Sequence, residues 1–107
     1  MGHTPAAHNV EKIIGGIRFD AYVGDLLRES ATERQLQNLG EALGRLRRCD
    51  PEVAQRVPNV HKIIGMRNVL VHGYATVNSR TVWAAATIDV PGLIPLLQQL
   101  LEELARE

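Results

Sequence analysis

The chain has 107 residues, 45% hydrophobic and 22% charged, a balance that excludes a disordered or fibrous polypeptide. Its 12 basic and 12 acidic residues cancel, so no whole-molecule positive field draws it to a polyanion, and a nucleic-acid contact has to come from a local patch. The single cysteine, Cys49, rules out an intramolecular disulfide and fits a reducing, cytoplasmic setting, while the absence of a bilayer-length apolar run and of a secretory signal pattern points to a soluble protein.

In chain order, residues 1–18 read as a short, truncated or frayed first helix: NVEKIIGGI is broken by Gly15 and Gly16, and His3 and His8 fall in its frayed end. FDAYVGDLL is a better helix, with Asp20 as cap and Phe19, Tyr22, Val23, Leu26 and Leu27 as its apolar residues. Ser30 and Glu33 match a capping box that opens a long helix. In that helix Leu36, Leu39, Leu43 and Leu46 form one apolar stripe, with Arg34, Gln37, Glu41, Arg45 and Arg48 on other faces. Asp50–Pro51 supplies a new cap and first-turn pair, so the long helix ends near Cys49. Pro58 breaks the next short piece and Asn59 caps VHKIIGMRNVLVHG, whose broad face carries Val60, Ile63, Ile64, Arg67, Leu70, Val71 and Tyr74. Gly73 ends this helix, TVNSR is a polar loop, and TVWAAATID is a short helix with Val82, Trp83 and Ala86. Pro91 opens the last helix, marked by Leu93, Leu96, Leu97, Leu100, Leu101 and Leu104, and Pro95 requires its start to be kinked or delayed. No strand-type alternation intervenes, so the expectation is one all-α domain over residues 1–107, an antiparallel helical bundle.

Paired-cysteine metal motifs, phosphate-binding glycine loops and nucleophile elbows are absent, and the four histidines fall at no ligand spacing, so no metal or cofactor is expected. The segment Arg67-Asn68-Val69-Leu70-Val71-His72-Gly73-Tyr74 packs four functional side chains into about two turns. Arg67 and His72 lie five residues apart, roughly 140° in direction and ~7.5 Å in rise on a straight helix, so one copy does not aim both at one point. A two-fold contact through the face of Val60, Ile64, Arg67 and Val71 would bring two such sets together. A near-neutral histidine can move protons, an arginine can hold a phosphate, and an asparagine can hold an oxygen. That set suits metal-independent cleavage of RNA through its own 2′-hydroxyl. Spacing alone leaves open that these residues are helix caps and surface groups. Glu41 can orient Arg67 or stand solvated, and Arg45, Arg47, Arg48 and Arg56 form either an RNA-gripping patch or a solvated helix end. Trp83 fits the core better than a base-stacking role, Cys49 has no evident chemistry, and neither His3 nor His8 has an assignable role.

The stretch IIGMRNVLVHGYATVNSRTVWAAATIDVPGLIPLLQQLL resembles the HepT-like branch of the HEPN superfamily, with its R-x4-H-x-Y motif, and QNLGEALGRL resembles that branch's helix bearing a Gly-Glu-Ala element, here Gly40, Glu41 and Ala42. The resemblance runs from about Phe19 to the C-terminus. It implies a small all-α homodimer acting as a ribonuclease toxin, partnered by an MntA-type minimal nucleotidyltransferase antitoxin. It implies Arg67 and His72 as catalytic pair, Asn68 in support, and Tyr74 as the tyrosine that receives AMP. The first helix is shorter and more glycine-broken than the family's. Two other readings use the same residues: a non-catalytic module that presents itself to a nucleotidyltransferase, and a dimerisation domain that keeps the motif for packing.

Overall fold

The computed structural model describes residues 3–73 and 78–106. Its helices are α1 (His3–Ile14), α2 (Phe19–Tyr22), α3 (Leu26–Cys49), α4 (Pro51–Gln55), α5 (Val60–His72), α6 (Ser79–Ala84) and α7 (Val90–Arg106), with a π-helical segment, Ala85–Asp89, joining the last two. No strand occurs among the described residues, and the chain is an all-α bundle of the expected class. No helix among them is long and apolar enough to cross a membrane.

Helix α3 is the spine. Leu36, Leu39 and Leu43 are fully buried and Leu46 packs against them, as the stripe requires. Helix α1 lies along one flank of α3 and α5 along the other, and α7 closes the bundle against α1. Ala7 and Val10 of α1, Ile63 of α5, and Leu93 and Leu97 of α7 meet the leucines in one continuous core. The glycine-broken first segment is thus a full element of the core, ended by Gly15 and Gly16, with Gly16 at φ +78°. His8 sits on this helix rather than in a frayed end, its Nδ1 3.7 Å from Glu11 Oε1.

Several local expectations are corrected. The long helix begins at Leu26, four residues before Ser30, because Gly24 at φ +88° turns the chain and Asp25 accepts a hydrogen bond from the Arg28 N–H. The Ser30–Glu33 pair is therefore interior. Asp20 lies within α2 and caps nothing, and α2 is a single turn. Leu26 and Leu27 face solvent, 73% and 82% exposed, since Leu27 is about 180° around the helix from Leu36. Asn59 holds the position before α5 in the left-handed region, φ 61°, with no side-chain cap. Asp50 does cap α4, accepting from the Val53 N–H with Pro51 in the first turn, and Gly73 ends α5 by donating to the Val69 carbonyl.

Pro91 does not open a new helix. The chain stays helical from Ser79 to Arg106, and the turn before Pro91 widens so that the Val90 N–H reaches back five residues to the Ala85 carbonyl. A proline lacks the N–H of a regular turn and its ring crowds the carbonyl four residues back, so a wider turn relieves both demands. Asp89, in the wide turn, is buried and receives Lys62 Nζ at 3.0 and 3.3 Å from its two oxygens. Pro95 lies on the exposed face of α7, and the buried residues beside it, Ile94 and Leu97, hold the helix through it. The side chains of Leu101 and Leu104 lie outside the described residues.

Tyr22 is buried against Trp83, ring centroids 5.0 Å apart, and Phe19 meets Trp83 edge-on at 5.8 Å, so Trp83 belongs to the packing of α2 on α6. Burial, with Glu33 and then Glu29 nearby, pushes the Tyr22 phenol above its ordinary range and keeps it neutral. Glu33 is itself raised by burial and by Glu29. A carboxyl whose folded pKa lies above its unfolded value favours the folded state while protonated, and this advantage disappears as pH rises through the folded value. Glu33→Gln is accordingly expected to raise the urea midpoint at pH 7 relative to wild type. The difference should shrink as both proteins are measured at progressively lower pH.

Candidate active site

Helix α5 carries the motif and packs directly on α3. The approach is closest at Gly40: a Cβ built there would overlap the Arg67 Cβ and stand 3.0 Å from the Ile63 carbonyl oxygen and 3.1 Å from the Arg67 Cγ. Only glycine lets the stem of Arg67 lie across α3 at this level. One turn on, a Cβ at Gly44 would meet only Arg48 Nη1, at 3.7 Å. The two glycines open a groove of about 200 Å³ between the helices, rimmed by Glu41, Arg48, Arg67 and Asn68.

Arg67 is half-buried and its Nη1 donates to Asn68 Oδ1 at 3.2 Å, so Arg67 and Asn68 share the groove. His72 is the last residue of α5, exposed, and makes no hydrogen bond or ion pair with another described residue. Both stand on one regular helix, so the separation of about 140° persists and one copy does not converge them. Tyr74 lies outside the described residues. Glu41 lines the groove, but its Oε1 is taken by Arg45 Nη1 at 3.3 Å, the partner one turn away on its own helix, instead of orienting Arg67.

The four arginines expected as a patch divide. Arg56 is held by both carboxylate oxygens of Glu103, at 2.9 and 3.2 Å, which ties the end of α4 to α7. Arg45 pairs with Glu41, and Arg47 Nη1 lies 2.9 Å from His61 Nδ1 across α3 and α5. Arg48 alone of the four enters the groove, adding a second cation beside Arg67. Such a groove can hold a phosphate between two guanidinium groups, with an asparagine amide available to a neighbouring oxygen.

The face expected to pair two copies is corrected in part. Val60 and Ile64 are 5% and 7% exposed, buried within their own protomer, because α5 spends them on the core under α3. Toward its C-terminal end α5 keeps Asn68, Val69 and His72 exposed, with Arg67 and Val71 half-buried. Cys49 is exposed and free. Among the described residues no three His, Cys, Asp or Glu side chains gather in a group able to hold a metal ion.

Sequence reasoning did not isolate Arg48 from its basic neighbours. The spacing Gly40-x3-Gly44-x3-Arg48 carried that signal, since it sets all three on one face of α3.

A protein of Caldanaerobacter subterraneus subsp. tengcongensis, named provisionally as an RNase, is 32% identical over 90 residues, covering 84% of this chain and 80% of the relative. One of Methanocaldococcus jannaschii, likewise named provisionally as an RNase, is 26% identical over 88 residues, covering 80% of this chain and 78% of the relative. No solved structure matches. Residues 5–100, which include most of α1, the α3–α5 groove and most of α7, match the family described as Ribonuclease HepT-like. With nearly its whole length in that match and the motif helix laid on Gly40, the chain belongs to the HepT-like ribonuclease family.

Proposed function

We propose that the protein is an endoribonuclease toxin of a HepT/MntA-type toxin–antitoxin pair, cleaving RNA without a metal as a homodimer. The observation that carries this reading is Arg67 lying in a two-arginine groove while His72 stands free at the exposed end of the same helix. His72 takes the proton of a ribose 2′-hydroxyl, whose oxygen attacks the adjacent phosphorus. Arg67, seconded by Arg48 and Asn68, holds the non-bridging oxygens as charge builds. The bond to the 5′ oxygen breaks, that oxygen takes a proton from a protonated histidine, and the products are a 2′,3′-cyclic phosphate and a 5′-hydroxyl. The proposed two-fold contact runs through the exposed end of α5 and sets Arg67 of one copy beside His72 of the other.

The expected result with purified protein and RNA is cleavage that leaves 2′,3′-cyclic ends and survives EDTA. Activity that vanishes with chelator and returns with magnesium would overturn the metal-independent mechanism. Control is proposed to act through Tyr74, where AMP transfer from a nucleotidyltransferase antitoxin adds phosphate charge that competes for Arg67. Tyr74→Phe should stay toxic yet escape the antitoxin's enzymatic activity, read as growth arrest on co-expression and as loss of the AMP adduct in mass spectra. A wild-type protein that binds a nucleotidyltransferase but cleaves no RNA would favour the non-catalytic module.

A further inference from the structure

A second cleft, about 380 Å³, lies on the other side of α3, between that helix and α1. Its lining is amide-rich: Asn9 from α1, with Gln35 and Asn38 from α3. The Asn9 Nδ2 donates to Gln35 Oε1 at 3.3 Å, which leaves the Asn9 carbonyl oxygen, an acceptor, and the Gln35 amide nitrogen, a donor, without a hydrogen bond to another described side chain. The Asn38 amide, half-buried, makes no hydrogen bond with another described residue. Three amides gathered in a cleft with most of their capacity unused present matched donor and acceptor pairs and little net charge. That is the chemistry that reads the edge of a nucleobase and not a phosphate or a fatty chain.

Placement ties this cleft to the arginine groove. Glu41 lines both, standing on the exposed ridge of α3 that separates them. Arg45 and Arg48 flank it on the same ridge, and the Glu41–Arg45 bridge is an exposed pair one turn apart, cheap to break. A single strand crossing the ridge would lay its backbone on these arginines, with the scissile phosphate at Arg67 on one side and the next base on the other.

We propose that the Asn9–Gln35–Asn38 cleft is a base-reading subsite that selects the nucleotide beside the cut, with adenine as the preferred base. Adenine offers an adjacent donor and acceptor on its N6–N7 edge, the pattern an asparagine or glutamine amide matches with two hydrogen bonds. The proposal rests on the ribonuclease reading given above, and the test separates the two. Wild type, Asn38→Ala and Asn38→Asp are compared on four oligoribonucleotides that differ in one base beside the cut. In parallel, the side-chain amide signals of the wild-type protein are followed by NMR during titration with adenosine 5′-monophosphate.

Wild type should prefer adenine at one position by about tenfold or more. Asn38→Ala should level the four rates. Asn38→Asp keeps the shape but offers acceptors only, so the preference should move toward cytosine, whose N4 is a donor. A merely structural role for Asn38 would change all four rates together and leave their ratios alone. The nucleotide should shift the Gln35 and Asn38 amide signals. Unchanged base ratios in both variants, or amide signals that the nucleotide leaves in place, would overturn the subsite. If wild type cleaves none of the four, the ribonuclease reading fails instead, and the titration by itself decides whether the cleft binds a base.

Discussion

His72→Ala is expected to lower the rate of RNA cleavage by roughly 10²–10⁴-fold, the usual worth of a positioned acid–base group, with the thermal unfolding midpoint almost unmoved. The structure gives the reason for the second half: His72 is exposed at the end of α5 and supports no other described side chain. Arg67 needs a gentler variant, because its stem fills the space over Gly40. Arg67→Met keeps that stem and removes the guanidinium, and it should cost about 10²–10³-fold if the arginine stabilises charge on the reacting phosphate. Arg67→Lys keeps the charge but not the two-pronged geometry and should fall between the two. The double variant should lose much less than the product of the single losses, since groups acting on one transition state are not additive. Single-turnover cleavage of one oligoribonucleotide measures all four. A His72→Ala protein that cleaves at the wild-type rate would remove this residue from the chemistry.

The second large effect separates two glycines one turn apart. Gly40→Ala places a methyl group on the Arg67 Cβ and against the Ile63 carbonyl, both fixed by packed backbone, so α3 and α5 have to move apart. Overpacking of this kind costs about 1–3 kcal/mol, which outweighs the ~1 kcal/mol that alanine gains over glycine inside a helix. Gly44→Ala meets only the mobile tip of Arg48 and should keep that gain, stabilising by about 0.5–1 kcal/mol. In a domain of this size 1 kcal/mol moves the unfolding midpoint by roughly 4–8 °C, so the two variants should melt on opposite sides of wild type. Gly40→Ala should also lose cleavage beyond its instability, because the shift displaces Arg67 from the groove. Equal melting temperatures for both variants would mean that α3 and α5 do not approach as described.

How far the sequence reached can be judged element by element. The leucine stripe of α3 and the Asp50–Pro51 boundary were legible because each rests on a local rule: a 3.6-residue period, and a cap followed by a residue that needs no donor. The Ser30–Glu33 box misled for an equally local reason. Two possible starts lay five residues apart, and Gly24 with Asp25 won because the left-handed turn at Gly24 stops α2 before Ser30 can start anything. Leu26 and Leu27 were placed among the apolar residues of a separate, earlier helix, and their angle to Leu36 becomes known only once the true start of α3 is known. The motif residues Arg67, Asn68 and His72 were legible as a pattern, but their company was not. Glu41 faces two arginines, Arg45 on its own helix and Arg67 across the groove, and only packing decides which it meets. Val60 and Ile64 show the same limit: an apolar stripe does not say whether it is buried by its own chain or by another.

The wide turn at Ala85–Asp89 has a consequence for how the chain can change in length. A π turn holds one residue more than the α turn it replaces while leaving the helices on either side nearly in phase. Helix α6, the wide turn and α7 therefore occupy the space of a helix one residue shorter, with a spare residue stored where Ile88 faces solvent. Losing that residue would close the turn to the ordinary repeat and keep Trp83 and Leu93 on their own sides. It would also press the ring of Pro91 onto the carbonyl four residues before it, the conflict that the wide turn relieves. Removing a residue from α7 itself has no such reserve, since it would swing Leu97 and Leu100 about 100° out of the core. The spare residue and the proline thus form one unit of sequence, to be gained or lost together.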